Sequence, residues 1–342
     1  MPNVRYLNGR EGSRPAANNN VSGNASAEEQ HGRHAATPWQ IPWRGWKDIL
    51  IRTYEQINED RLLAVAAGVV FYGLLALFPA ITAIVSCYAL FAKPSTINDH
   101  LSMLSGVLPG GAFDIVKEQV GRVLEKGNLK LGTAFVVSFL FALWSANGGM
   151  KAIMDALNVV YDEKEKRGFF KLNAVSLAFT FGGLVAVLIA IGTVVALPIV
   201  LATIGLGSIT EMLFRVGRWP LLIVVMLLGL ALLYRFGPSR RSPQWQWLSV
   251  GSVFATLTWL AGSALLSYYL ANYANYDATY GSLGAAIGLM MWMWMSTIVV
   301  LFGAELNSEI EHQTKVDSTE GGGKPLGRRG AHVADTVGEA KA

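Results

Sequence analysis

Six stretches of this chain, at 64–91, 131–149, 172–203, 219–236, 248–270 and 281–303, are apolar and hold between them one Lys, Arg, Asp or Glu, namely Arg235 at the end of the fourth. A segment of about 20 uncharged apolar residues is long enough to cross the hydrocarbon core of a bilayer as a helix. Lipid offers no partner for backbone polar groups, so each such stretch has to close its hydrogen bonds internally. The composition agrees: 52% of residues are hydrophobic and 15% charged, against roughly a quarter charged in soluble domains. The expected fold class is an all-α membrane protein, with six transmembrane helices, an amphipathic N-terminal interfacial helix, and a helical hairpin between spans one and two.

Residues 1–38 and 313–342 are polar and lack apolar periodicity, so they read as disordered tails around a six-span domain at 39–312. Between 46 and 57, Trp46, Ile49, Leu50, Thr53, Tyr54 and Ile57 fall at helical spacing, with Lys47, Asp48, Arg52, Glu55 and Glu59 on the other face. Trp39 and Trp43 precede them, and the pattern predicts a helix lying in the headgroup layer. Residues 93–130 are too polar to span. Two apolar stripes there, separated by Pro109, Gly110 and Gly111, predict a hairpin that rests on the membrane or caps the bundle.

Within the spans, Pro79 lacks an N–H donor and clashes with the Leu75 carbonyl, which predicts a kink. The second span ends in the polar group Ser145, Ala146, Asn147, Gly148 and Gly149, followed by an amphipathic helix. Ala178, Gly182, Ala186 and Ala190 recur every fourth residue of the third span and predict a tight helix contact. Trp245 and Trp247 are placed as interface anchors. Trp292 and Trp294 lie too deep for that role, so each indole N–H needs an acceptor or a lumen. Lys and Arg are frequent before span one, in the connectors after spans two and four, and after span six, against Lys93, Lys117, Arg122, Lys126 and Lys130 after span one and Arg215 and Arg218 after span three. The connector after span five, 268–280, has none. That bias places both termini in the cytoplasm.

The net charge of +4 accompanies no basic patch with interleaved aromatics, so nucleic acid is not an expected partner. Cys87 stands alone and forms no internal disulfide. The first span starts too late for a cleavable signal peptide. Phosphate-loop, G-x-S-x-G and H-E-x-x-H patterns are absent, and the five histidines are scattered. We expect no catalytic, cofactor or metal residues. The polar or hinge positions of interest are Asn147, Glu305, Pro79, Trp292 and Trp294. Asn147 reads as a helix-to-helix hydrogen bond, and Glu305 as an ion pair with Arg61 or Lys151.

Three motifs carry a family resemblance: AAGVVFYGLLALFP at 66–79; ALWSANGGMK at 142–151 with ALNVVY at 156–161; and YGSLGA at 280–285 with GAELN at 303–307. With them the chain resembles the YihY/BrkB family of bacterial inner-membrane proteins over about 45–312. The resemblance implies six membrane helices and multi-pass residence in the inner membrane. Some members carry a tRNA-processing ribonuclease label, which these residues do not support, and one branch is called a virulence factor linked to serum resistance. The expected function is non-enzymatic: transporting or organising an envelope lipid or amphipathic molecule, with membrane lipids as partners. The alternative is a structural or interaction protein of the envelope, working as a homo-oligomer or with an envelope protein.

Overall fold

The computed structural model describes residues 28–88, 97, 101–102, 110–125, 133–193, 208–273 and 284–341. Among them, nine α-helices account for nearly all regular structure. They are α1 (Trp43–Glu59), α2 (Leu62–Tyr88), α3 (Gly110–Glu125), α4 (Thr133–Val160), α5 (Phe169–Ile191), α6 (Ser208–Phe236), α7 (Ser249–Asn272), α8 (Gly284–His312) and the single turn α9 (His332–Asp335).

Five segments among the described residues are long and apolar enough to cross a membrane: Leu62–Val85, Phe169–Ile191, Trp219–Phe236, Trp245–Leu270 and Ala286–His312. They coincide with expected spans one, three, four, five and six. The second expected span begins outside the described residues, and its remainder is the first half of α4. No break occurs at the polar group 145–149. The helix runs through it, so the span and the amphipathic helix expected after it are one rod. At about 1.5 Å per residue, its 28 residues extend about 42 Å.

α8 is the hub. It touches α1, α2, α3, α4, α7 and α9, while α2 and α4 form the most extensive helix pair. A Cβ on Gly149 would stand 3.1 Å from Ala76 Cβ and 3.5 Å from Gly73 Cα. Small residues therefore set how closely α2 and α4 approach, as membrane helices require where dispersion replaces the hydrophobic effect. The ridge on α5 behaves differently. A Cβ on Gly182 would meet nothing within 4 Å, and Ala178 is exposed. The expected tight contact is not made among the described residues, where α5 packs through Asn173, Ser176 and Leu184 instead.

The core has three parts. The largest joins Leu62, Ala66 and Val69 of α2, Leu157 and Val160 of α4, Leu230 and Tyr234 of α6, Ala255 of α7 and Leu301 and Ala304 of α8. A second joins Ile41, Ile49, Trp247, Leu306 and Ile310. Trp247 is thus a core residue and not an interface anchor, while Trp245 stays half-exposed over the Arg235 guanidinium. The third joins Ile81 and Val85 of α2 with Ile97 and Leu101 and with Val120 of α3. It seats α3 against α2 and α8. The first arm of the expected hairpin lies mostly outside the described residues.

One end of the bundle collects residues 28–60, the connectors 161–168 and 237–248, and residues 313–341. Lys166 N–H donates to Ser239 Oγ at 2.9 Å, His332 N–H to Glu163 Oε1 at 2.8 Å, and Lys315 N–H to the Arg33 carbonyl at 2.8 Å. Residues 28–38 and 313–341 therefore depart from the disordered tails that their composition implied. Ser318 and Thr319 are fully buried, and Arg329 donates to the carbonyls of Lys315, Val316, Lys324 and Ala334. Residues 1–27 and 342 fall outside the described set.

Candidate functional site

α8 is apolar to Gly303 and then turns polar while remaining enclosed. Glu305, Asn307, Ser308, Glu309, Glu311, Gln313 and Thr314 are each no more than 2% exposed. Three carboxylates on a buried helix end, with no Lys or Arg on that helix turn, demand cations from elsewhere in the fold. α1 supplies Arg52, whose Nε donates to Glu309 Oε2, while its Nη2 donates to Gln313 Oε1 at 2.7 Å and its Nη1 to the Glu339 carbonyl at 2.8 Å. The 237–248 connector supplies Arg240, which takes Glu311 in a two-pronged grip at 2.6 and 3.2 Å. Its guanidinium also lies 4.1 Å from the centre of the Tyr161 ring. Ser318 adds a third donor to Glu311 at 3.0 Å.

These contacts explain a departure in α1. The charged Asp48 and Arg52, expected to be solvated on the face away from the lipid, are buried, whereas Leu50 and Tyr54 of the apolar stripe are exposed, as a helix lying in the headgroup layer requires. The helix turns its polar stripe toward the polar end of α8. Asp48 accepts from Gln313 Nε2 at 3.3 Å and from Lys341 N–H at 2.8 Å, and pairs with His31 at 2.6 Å.

Some ionisable groups near this seam are displaced from their ordinary values. Burial, reinforced by the charges of Asp162, Glu59 and Glu309, pushes the Asp60 carboxyl up to about 6. Burial likewise raises the Tyr161 phenol, against the opposing pull of the Arg240 charge. Glu165 moves the other way, to about 2, because Arg167 donates to its carboxylate from the side chain and, more weakly, from the backbone.

The five expected positions are not gathered in one place. Glu305 is 1% exposed, makes no ion pair among the described residues, and keeps Oε2 without a hydrogen-bond partner. The expected pairing with Arg61 or Lys151 is absent for two reasons. Arg61 occupies a left-handed turn (φ 50°) between α1 and α2 and is exposed, and Lys151 Nζ donates to Asn173 Oδ1 at 2.6 Å. Asn147 is buried where α4 meets α5, and accepts from Thr180 Oγ1 at 3.2 Å. Pro79 lies inside α2, which continues to Tyr88, and Thr82 Oγ1 donates to the neighbouring Phe78 carbonyl at 3.0 Å. Both tryptophans find acceptors on other helices: Trp292 Nε1 donates to Ser263 Oγ at 3.2 Å and Trp294 Nε1 to the Leu63 carbonyl at 3.0 Å. The sequence reasoning missed Arg52, Arg240, Glu311, Tyr161 and Asn307. One signal was available, since Glu305, Glu309 and Glu311 follow an uncharged span and the helix they end carries no Lys or Arg.

The Gly321–Lys324 loop curls around an internal anion. Asp317 accepts from the backbone N–H of Thr319 at 3.0 Å and of Lys324 at 2.9 Å, occupying the donors a phosphate would need. Among the described residues, no group of three or more His, Cys, Asp or Glu is arranged to hold a metal ion.

The family model for virulence factor BrkB matches residues 53–325. The chain belongs to the BrkB family. A Bacillus subtilis protein with the name putative ribonuclease-like protein YfkH is 30% identical over 259 residues, covering 73% of this chain and 90% of its own length. A UPF0761 membrane protein of Chlorobium luteolum is 26% identical over 74% of this chain and 57% of its own length, so the chain spans little more than half of that relative. A UPF0761 membrane protein of Idiomarina loihiensis is 25% identical over 80% of this chain and 95% of its own. No solved structure matches. This BrkB-family chain is therefore a membrane protein, with five helices among the described residues long and apolar enough to cross a bilayer.

Proposed function

We propose that this BrkB-family chain is a non-enzymatic inner-membrane protein that moves or organises an envelope lipid or a similarly amphipathic molecule. The observation carrying this reading is how the polar groups of the spans are used. Trp259 donates to Ser296 at 2.9 Å, Trp292 to Ser263, Trp294 to the Leu63 carbonyl, and Tyr234 to the Val300 carbonyl at 2.8 Å. These groups hold helices to one another and do not converge as acid, base and nucleophile around a reacting atom. The outer surfaces are apolar and aromatic, with Phe141, Phe170, Leu257 and Leu265 exposed, as suits contact with acyl chains.

The membrane arrangement in this reading is six spans with both termini cytoplasmic. Its support is the return of the chain to one bundle end at 161–168, at 237–248 and after α8, which makes three there-and-back pairs. The Lys and Arg bias points that end inward. In the same reading α1 rests in the headgroup layer on its exposed Trp43, Leu50 and Tyr54, anchored to the protein by its buried polar stripe.

The test is phospholipid movement in vesicles. The full chain, reconstituted with fluorescent phospholipids, is expected to speed their exchange between leaflets over protein-free vesicles, and its deletion is expected to change envelope lipid composition and serum or detergent sensitivity. Neither effect would refute the reading. A second reading, a scaffold of the envelope, draws support from the bundle end itself, where two buried Arg–Glu pairs tie α1 and the 237–248 connector to α8. Crosslinking that recovers a stoichiometric envelope protein, without lipid movement, would favour it.

A further inference from the structure

The seam between α4 and α5 carries polar side chains that the fold does not fully use. On α4, Trp144, Asn147 and Lys151 follow one another at spacings of three and four, and so share a face. Opposite them on α5, Asn173, Ser176 and Thr180 do the same. Lys151 Nζ donates to Asn173 Oδ1 at 2.6 Å and stands 5.4 Å from the centre of the Trp144 ring. It joins none of the ion pairs among the described residues, whose cations go to other carboxylates. An ammonium group has three donors, and here only one has a side-chain acceptor.

Asn147 presents the second unmet need. It is 1% exposed, and its Nδ2 has no partner. Thr180 has one hydroxyl hydrogen to share between the Ser176 carbonyl at 2.8 Å and Asn147 Oδ1 at 3.2 Å. Whichever it serves, one end of the Asn147 amide stays unmatched, and an unmatched buried amide destabilises the seam. The seam is open to the side, since Trp144 is 51% exposed and Phe141 beyond it 71% exposed. Nine residues of helix lead from Lys151 to the end of α4 at Val160 and the Arg167-bearing connector, so the cation stands toward the end of the bundle that collects the basic connectors.

We infer that this seam holds the phosphate of an anionic lipid, with Lys151 as its cation and Asn147 as its buried hydrogen-bond partner. The acyl chains then run along the apolar face of α4 past Trp144 and Phe141. Charge supports the assignment: a partly enclosed ammonium group with no carboxylate wants a compact anion, and phosphate oxygens supply the acceptors that Lys151 and Asn147 lack. The inference rests on the lipid reading above for its ligand class, and it concerns binding at a fixed place, which needs no transport.

The test is native mass spectrometry of the full chain in mild detergent, titrated with phosphatidylglycerol, with diacylglycerol, or with inorganic phosphate. One phosphatidylglycerol is expected to survive delipidation, and diacylglycerol is not. Lys151→Gln is expected to weaken that retained lipid about tenfold, the loss of one charge-assisted hydrogen bond. Lys151→Arg is expected to keep it and Asn147→Asp to lose it, while Lys47→Gln, on the exposed side of α1, leaves it unchanged. A headgroup-photoreactive phosphatidylglycerol on the unaltered chain is expected to label 144–151 or 173–180, which decides the matter if the variants do not fold. Equal retention of diacylglycerol, full competition by inorganic phosphate alone, or labelling confined to other helices would overturn the inference. Lipid movement without labelling here sinks the site and spares the transport reading; labelling without movement does the reverse.

Discussion

The Asn307 side chain caps a helix that is not its own. Its Oδ1 accepts the Gly251 N–H at 2.8 Å, and its Nδ2 donates to the Leu248 carbonyl at 3.3 Å. Gly251 is the third residue of α7, where backbone N–H groups have no partner within the helix. Asn307, fully buried on α8, therefore does from across the interface what a side chain at the start of α7 would ordinarily do. This is possible because Gly303 and Gly251 let the two backbones touch: a Cβ on Gly251 would stand 2.0 Å from the Gly303 carbonyl oxygen, and one on Gly303 would stand 2.7 Å from the Gly251 carbonyl oxygen.

Two substitutions test this arrangement. Gly251→Ala has to push backbone from backbone, and it is expected to cost about 3 kcal/mol, the upper range for overpacking. Asn307→Ala removes both hydrogen bonds and leaves a buried N–H unpaired, for about 1–3 kcal/mol. Thermal unfolding of the purified chain in one fixed detergent checks both. A Gly251→Ala protein that melts with the unaltered chain would show that α7 and α8 do not approach this closely.

The Arg240–Glu311 pair offers a second measurement. Both side chains are fully enclosed, so removing one partner strands the other in a medium of low polarizability. Arg240→Ala is expected to destabilise by about 3–5 kcal/mol, whereas the double change Arg240→Met with Glu311→Leu recovers most of that loss. The double-mutant cycle checks it. Additive losses would mean that the two groups are not coupled.

These cases show what the sequence discloses and what it withholds. The spans at 219–236, 248–270 and 281–303 are legible because lipid imposes one rule on every residue in them, so composition alone marks them. The inward turn of Asp48 and Arg52 is not legible in α1 itself. Its cause is the cluster Glu309, Glu311 and Gln313, more than 250 residues away in sequence, which makes the polar face of α1 the better one to bury. Asn147 was readable as a helix-to-helix group, and Thr180 on α5 is its partner. Its unmet amide was not readable, because the shared Thr180 hydrogen depends on how the two helices are set side by side.

Asp60 gives a prediction about pH. Its carboxyl titrates near 6 in the folded chain, against 3.8 for an ordinary aspartate. Between those values the folded state binds more protons than the unfolded state, so this group makes stability fall as pH rises from about 4 to 6. The penalty is complete above pH 6 and absent below about pH 4. Asp60 is only half-buried, so solvent screening limits it to about 1 kcal/mol. Asp60→Asn is expected to raise the melting temperature at pH 7.5 and to leave it unchanged at pH 4. An equal gain at both values would assign the effect to packing and not to charge.

Residues 313–341 supply the last prediction, since their composition and their structure point in opposite directions. Three successive glycines, Gly321, Gly322 and Gly323, all have positive φ (90°, 55° and 75°). Together with Pro325 they look like a flexible linker. The order comes from a few long side chains: Arg329 gathers four backbone carbonyls, Asp317 fastens the loop through Thr319 and Lys324, and Gly338 N–H reaches the His312 carbonyl at 2.9 Å. Trypsin distinguishes the two pictures. The protease needs an extended, accessible backbone, and the peptide bond after Arg329 is held inside this knot, so cleavage there is expected only after local opening. Arg329→Gln removes the charge that gathers the carbonyls, and it should expose the bond after Arg328 to rapid cutting. Rapid cleavage after Arg328 or Arg329 in the unaltered chain, at the rate of an unstructured peptide, would mean that the segment does not close over the end of α8.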